Sequence, residues 1–216
     1  MPQRPFSDAE TAVKGRRNLL DVARTLDALG VTWWIEAGTF LGCIREAGRF
    51  IGHDCDIDVG VVGDEKADEI ITQLQSLGFS VNHVFGRKGH GYEIAFMRDD
   101  VKVDVFFFYV EAYAAAPRAL DLSYKVLWMG CWLRGRMIRL EFPAHLILPT
   151  IRTLMEQVIV NVPADAEGYL VTRYGPDWRT PDEHWDWALS PHCINWGRSE
   201  ISEEEAQRLR RPERVL

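Results

Sequence analysis

The sequence predicts an α/β (α+β) fold: a small mixed β-sheet flanked by helices, with an irregular, Trp-rich C-terminal extension. Three observations point there. Helical and strand periodicities alternate over the first 77 residues. Three strand-like runs then follow between residues 79 and 109, separated by short turn signals. Beyond them, regular patterns give way to Pro, Gly and Trp.

Taken in order, residues 7–29 read as a helix. Ser7 and Glu10 in "SDAE" form a capping-box pattern. Leu19, Val22, Ala23, Leu26 and Leu29 make an apolar stripe, and Gly30 is a stop. "VTWWIEAG" and "IDVGVV" read as strands. Asp64 is placed to cap a second helix over about 65–77, with Ile70, Ile71, Leu74 and Leu77 on one face and Gly78 at its end. "FSVNHVF", "GYEIAFM" and "VKVDVFFFY" then form an antiparallel meander, turning within Gly86–Gly91 and Arg98–Asp100. "WLRGRMIRL" reads as a hairpin around Gly135. "PADAEGYLVTRYG" reads as a short helix starting near Pro163. The segment through "HWDWALSPHCINWG" offers Trp anchors, and 198–216 is a charged tail.

The 216 residues suit a single domain spanning 1–216, with a core over 15–197. A 47% apolar and 11% aromatic composition supports a sizeable core. The net charge of −7 argues against sequence-independent nucleic-acid binding, which needs a basic face. It leaves room for an anionic small molecule, since a bound cation reverses the local field. The four cysteines, Cys43, Cys55, Cys131 and Cys193, are widely spaced and form no CxxC pair. Neither a zinc site nor a disulfide framework is expected. No signal peptide and no membrane span are expected, and the expected location is cytoplasmic.

The chemistry concentrates in "GTFLGCIREAGRFIGHDCDIDVGVV", residues 38–62, with Asp54, Asp56 and Asp58 in five positions. On a strand, Asp56 and Asp58 point to one face about 7 Å apart, while Ile57 and Val59 face the core. Carboxylates at that spacing hold divalent cations, and Mg²⁺ keeps substrate phosphates in its shell. Asp104, alone among apolar neighbours in "VKVDVFFFY", supplies a third carboxylate; a buried aspartate needs such compensation. Gly38 and Gly42 suggest a turn whose backbone N–H groups approach phosphate, Thr39 adds a hydroxyl, and Arg45 offers a guanidinium. A D-x-D pair alone is common in solvated loops. The ordered set of Gly-Thr, Arg, D-I-D and a later strand Asp is what indicates a metal-dependent phosphoryl-transfer site.

Other residues carry two readings. His53 is a ligand, a proton carrier or a loop histidine. Glu93 either reaches the site or makes a cross-strand ion pair. Lys102 shares a strand face with Asp104 and pairs with it or with phosphate. Asp186 could touch an acceptor, Trp185 and Trp187 are packing anchors or stacking surfaces, and Arg173 and Tyr174 read as structural.

That set resembles the nucleotidyltransferase-fold superfamily: Gly38-Thr39, then Asp56-Ile57-Asp58, then Val103-Asp104-Val105. Within it the chain is similar to the LicD/fukutin family, through "GTFLGCIREAGRFIGHDCDIDVGV", "GFSVNHVF", "KVDVFFFY", "YLVTRYGPDW" and "HWDWALSPHCINW". The resemblance covers roughly residues 15–197. It implies transfer of a substituted phosphate, such as phosphocholine or a polyol phosphate (ribitol or glycerol phosphate), from a CDP-activated alcohol donor to a glycan acceptor hydroxyl, with CMP leaving. It implies Mg²⁺ or Mn²⁺ held by Asp56, Asp58 and Asp104, the catalytic residues, with Asp104 as the general base. Gly38, Thr39 and Arg45 would contact donor phosphates. His53 and Asp54 would join the substrate-binding set, Asp54 also serving as an outer or additional ligand. The chain has "GHDCDID" where many family members carry another acid or a Trp-Asp pair. Two other readings use the same acids or none: transfer of a nucleotide from an NTP with pyrophosphate release, and a non-catalytic glycan- or nucleotide-binding module.

Overall fold

The computed structural model describes residues 3–112, 125–133, 136–182 and 185. The chain begins with helix α1 (Ala9–Leu29), strand β1 (Trp33–Ile35), helix α2 (Ala37–Arg45), strand β2 (Asp56–Val62) and helix α3 (Ala67–Ser76). The meander follows as β3 (Ser80–Arg87), β4 (His90–Arg98) and β5 (Val101–Ala112). Next come the hairpin β6 (Lys125–Leu133) and β7 (Arg136–Pro143), helix α4 (Ala144–Ile147), the hairpin β8 (Ile151–Met155) and β9 (Val158–Val162), and helix α5 (Ala166–Tyr174).

The sheet runs β1-β2-β5-β4-β3, and β6 extends it from the far end of β5, followed by β7. All its pairs are antiparallel except β2–β5. That parallel ladder is the feature that matters for the site. It sets Asp56 opposite Lys102 and Asp58 opposite Asp104. The mixed sheet and the meander match the expected fold class.

The apolar stripe of α1 explains its seat. Leu19, Val22 and Leu26 are fully covered against a core that also holds Trp33, Trp34, Ile57, Val59, Val103 and Phe107. Truncating Leu26 to Ala would cost about 2–5 kcal/mol, the usual range for a buried leucine. Ile57 and Val59 point into this core, so Asp56 and Asp58 are turned to the opposite face, as alternation requires.

Several local readings need correction. The α1 N-cap is Asp8, not Ser7; its carboxylate accepts from the amide of Thr11. An ionised carboxylate outcompetes a hydroxyl at a helix start because it also answers the dipole. Asp64 does not cap α3 with its side chain. That carboxylate instead accepts from the Tyr109 hydroxyl at 2.7 Å and the Gly89 amide at 2.6 Å, tying α3's entry to the β3–β4 turn. The "GTFLG" glycines form no turn: they lie inside α2. A side chain at Gly42 would strike the carbonyl of Arg49 at 2.7 Å, so this glycine lets the 49–51 backbone pack on the helix. The β8–β9 hairpin, "IRTLMEQVIVNV", was not anticipated. The hairpin around Gly135 does form, although Gly135 itself lies outside the described residues, as do Asp186, Trp187 and Cys193.

Candidate active site

The acids gather at the parallel ladder. Asp56 and Asp58 lie on β2, and Asp104 faces Asp58 from β5. Their carboxylate oxygens come within 4.8 Å of one another. Asp58 and Asp104 are 8% and 5% exposed, which makes them costly groups to bury with charge. Lys102 offsets part of that cost: its ammonium lies 2.8 Å from Asp56 and 2.8 Å from Asp104 Oδ2. The other oxygen, Asp104 Oδ1, is buried and has no hydrogen-bond partner among the described residues.

The electrostatics follow from crowding. Burial, reinforced by Asp56 and Asp104, holds Asp58 well above the usual carboxylate range. Burial raises Asp104 to about 6 although Lys102 pulls it down. Burial, with a hydrogen bond and charge repulsion from Asp56, raises Asp54 to about 7. Burial works against charge on Lys102, yet Asp104 and Asp56 hold its ammonium above its ordinary range.

Above the acids opens a cavity of about 790 Å³. Its wall includes seven acidic residues (Asp54, Asp56, Asp58, Glu93, Asp104, Asp177 and Asp182) against Arg45, Lys102 and Arg173 as permanent cations. That imbalance suits a divalent cation better than a bare anion. The donor set is all oxygen, and one buried carboxylate oxygen stands without a partner. The residues therefore fit a hard ion such as Mg²⁺ or Mn²⁺.

The start of α2 borders the same cavity. Its first N–H groups have no partner within the helix, and Ala37 and Gly38 line the wall. Ala37 sits at φ +45°, an uncommon conformation for alanine, where the chain turns sharply from β1 into the helix. Gly38 is small for a packing reason. A Cβ there would lie 2.6 Å from Asp54 Oδ2, so Asp54 approaches the helix start only because residue 38 is glycine. Thr39 is 2% exposed, and its hydroxyl accepts from the Asp58 amide at 2.8 Å. It braces the acid strand from beneath and is not part of the cavity wall. Arg45, at the last turn of α2, lines the wall with its Nε held 2.8 Å from Glu46. His53 also lines it.

Sequence reasoning overlooked Glu36. It precedes α2, is fully buried, and accepts from Trp34 Nε1 at 2.5 Å, from Arg173 Nη1 at 2.9 Å, and from the Tyr169 hydroxyl. This links α5 to the start of α2, and Arg173 and Tyr174 also line the cavity wall. The Glu in "WWIEAG" was the available signal: an acid inside an apolar strand run. Glu93 reaches the cavity and makes no cross-strand ion pair among the described residues. Trp185 lines the wall too, so the start of the Trp-rich segment does border the site. Cys43 and Cys55 are free thiols. No helix among the described residues is long and apolar enough to cross a membrane.

Comparison with known proteins agrees with this geometry. Residues 30–165 match the family described as "LicD/FKTN/FKRP, nucleotidyltransferase domain". The chain is 32% identical over 204 residues to "Ribitol-5-phosphate transferase FKTN" of Mus musculus, covering 91% of this chain and 41% of that protein. It is 32% identical over 198 residues to the Homo sapiens protein of the same name, covering 88% and 40%. "Ribitol 5-phosphate transferase FKRP" of Homo sapiens is 27% identical over 158 residues, covering 72% and 30%. The chain thus spans about two fifths of the length of the FKTN relatives, and the matched part contains Gly38, Asp56, Asp58 and Asp104 together. On this match, which spans the acids and the helix that borders them, the chain belongs to the LicD/FKTN/FKRP nucleotidyltransferase-domain family.

Proposed function

We propose that this protein is a divalent-metal-dependent transferase that moves a substituted phosphate from a CDP-linked alcohol to a glycan hydroxyl and releases CMP. A polyol phosphate is the favoured cargo, because the FKTN and FKRP relatives are named ribitol-phosphate transferases. The observation that carries the reading is the triad Asp56, Asp58 and Asp104, with oxygens within 4.8 Å and Asp104 Oδ1 buried without a partner.

Asp56, Asp58 and Asp104 would hold Mg²⁺ or Mn²⁺, with Asp54 as an outer partner. When bound, the metal neutralises charge on the phosphoryl oxygens and aligns attacking and leaving groups. The chain's own residues do the rest. The first N–H groups of α2 and the Arg45 guanidinium bind phosphate oxygens. Lys102, which pairs with Asp56 and Asp104, would offer its ammonium to the same phosphate. The acceptor hydroxyl attacks the β-phosphorus, the CMP oxygen leaves, and the hydroxyl proton passes to a carboxylate of the cluster, for which we propose Asp104, whose Oδ1 has no hydrogen-bond partner among the described residues. Asp54 Oδ2 lies against the start of α2 at Gly38, where no Cβ keeps it away.

The direct test is product analysis with a panel of CDP-ribitol, CDP-glycerol, CDP-choline and the four NTPs, each offered with a glycan acceptor. CMP release that needs Mg²⁺ and is lost in Asp58→Asn supports the proposal. Pyrophosphate release from NTPs without CMP release would instead identify a nucleotidyltransferase.

A further inference from the structure

The cavity extends past the acids to a second chemical environment. Strand order places α2 and Arg45 on one side, the acids on β2 and β5 in the middle, and β4 and β3 beyond them. Glu93 lies on β4 in register with Phe106 of β5 on one side and Phe85 of β3 on the other. Alternation puts it on the same sheet face as Asp104, whose own β4 partner is the small Ala95. Phe85, Phe106 and Trp132 line the cavity there, and Trp132 is fixed by its Nε1 donating to the Gly91 carbonyl at 2.9 Å. Glu93 is only 8% exposed, yet its carboxyl makes no hydrogen bond or ion pair among the described residues.

A largely buried carboxyl that no protein donor answers has only the cavity's contents to satisfy it. A folded protein that keeps one facing a cavity has a use for it there. We propose that Glu93, with Phe85, Phe106 and Trp132, forms a subsite for a polyhydroxylated group, a polyol chain or a sugar ring. Hydroxyls supply the donors that Glu93 lacks, while the aromatic faces cover C–H surface. A quaternary ammonium would meet the aromatic faces and the carboxyl's charge but forms no hydrogen bond with it, so choline is the competing occupant that the test separates. An in-line displacement has its leaving and attacking oxygens on opposite sides of phosphorus. With the nucleotide's phosphates at α2 and Arg45, the acceptor approaches from the far side of the acids, and the donor's polyol, on an equatorial oxygen of the same phosphorus, projects between the two. This inference rests on the transferase reading. It adds which part of the substrates Glu93 selects, and two sources share that chemistry: the donor's polyol and the acceptor's sugar.

The test is binding in saturating Mg²⁺ by calorimetry, comparing wild type with Glu93→Gln and Glu93→Leu. The probes are CMP, CDP-ribitol, CDP-choline and, with CMP present, a panel of methyl glycosides. Both variants should fold, since they remove an unsatisfied buried acid, and melting curves check this. The expected result is a loss of about tenfold or more in Glu93→Leu for CDP-ribitol or for a methyl glycoside, with CMP affinity within about twofold of wild type. Loss on CDP-ribitol assigns the subsite to the donor's polyol; loss on a glycoside assigns it to the acceptor. Equal losses for CDP-choline and CDP-ribitol, equal losses for CMP, or no loss for any probe would overturn the subsite. A wild-type protein that binds neither CMP nor any CDP-alcohol would instead sink the transferase reading itself.

Discussion

Lys102 and Asp104 stand two residues apart on one strand face, and their Nζ and Oδ2 atoms lie 2.8 Å apart. The same ammonium lies 2.8 Å from Asp56. Without a metal, this lysine is the charge that keeps the acid cluster together. A cation held by the same acids would compete with this ammonium, and we propose that the lysine then serves phosphate.

Replacing Lys102 separates those two roles. Lys102→Met leaves the acids without their cation, and breaking one partner of a half-buried pair costs on the order of 1–3 kcal/mol after allowing for its 27% side-chain exposure. Metal-free protein should melt a few degrees lower, while added Mg²⁺ should raise the melting temperature by more than in wild type. Differential scanning fluorimetry with and without EDTA reads both. An unchanged metal response would mean that the lysine and the metal do not share the acids.

Asp58→Asn should act in the opposite sense. Asp58 is buried among like charges, which hold its carboxyl well above the ordinary range. Neutralising it removes repulsion, so the metal-free variant should be as stable as wild type or about 1–2 kcal/mol more stable. Its Mg²⁺-dependent stabilisation should disappear, along with turnover. A variant that is less stable and still metal-responsive would point to a structural aspartate.

The acids also set a pH dependence. Asp104 at about 6 and Asp54 at about 7 lie above an unfolded aspartate near 3.9. Between those values the folded chain binds protons that the unfolded chain has released. Stability from these groups is therefore fully present below about pH 4 and is lost as pH rises through about 6 to 7. Metal-free melting temperature should fall from pH 5 to pH 8, and the gain from saturating Mg²⁺ should grow over the same interval. Parallel curves with and without metal would contradict this.

Gly38→Ala tests the helix–acid contact. Its Cβ would lie 2.6 Å from Asp54 Oδ2, too close unless the carboxylate moves. The swap adds helix propensity, worth up to about 1 kcal/mol, so the fold should survive. Metal affinity should drop by about tenfold or more, as is typical when an outer partner of a metal site is displaced. Calorimetric titration of Mg²⁺ or Mn²⁺ checks this, and wild-type affinity would show that Asp54 is idle.

Much of this site was legible because strand alternation is a strict rule. Asp56, Asp58 and Asp104 interrupt runs such as "VKVDVFFFY" whose other residues must be buried, so their common face could be read from the chain. The meander was equally legible from its turn residues, of which Asp99 and Asp100 do adopt positive φ. Less legible was anything that depends on side-chain partners from distant segments. Glu36 looked like a strand-end acid, and only the fold brings it Arg173 and Tyr169, more than 130 positions away. Thr39 looked like a phosphate contact, but packing turned its hydroxyl to the Asp58 amide. "GTFLG" reads as a turn because glycine favours turns; here the glycines serve close approach within a helix, a distinction that local pattern does not encode.

The central claim is that the aspartate cluster holds a divalent cation for transfer of a substituted phosphate from a CDP-linked donor. Phosphorus-31 NMR of wild-type protein with CDP-ribitol and a glycan acceptor tests it most directly, with excess Mg²⁺ and then with EDTA. The account predicts growth of the CMP resonance at the expense of the diphosphate with Mg²⁺, none with EDTA, and none for Asp58→Asn under either condition. CMP formation that continues undiminished in EDTA, or in Asp58→Asn, would contradict it.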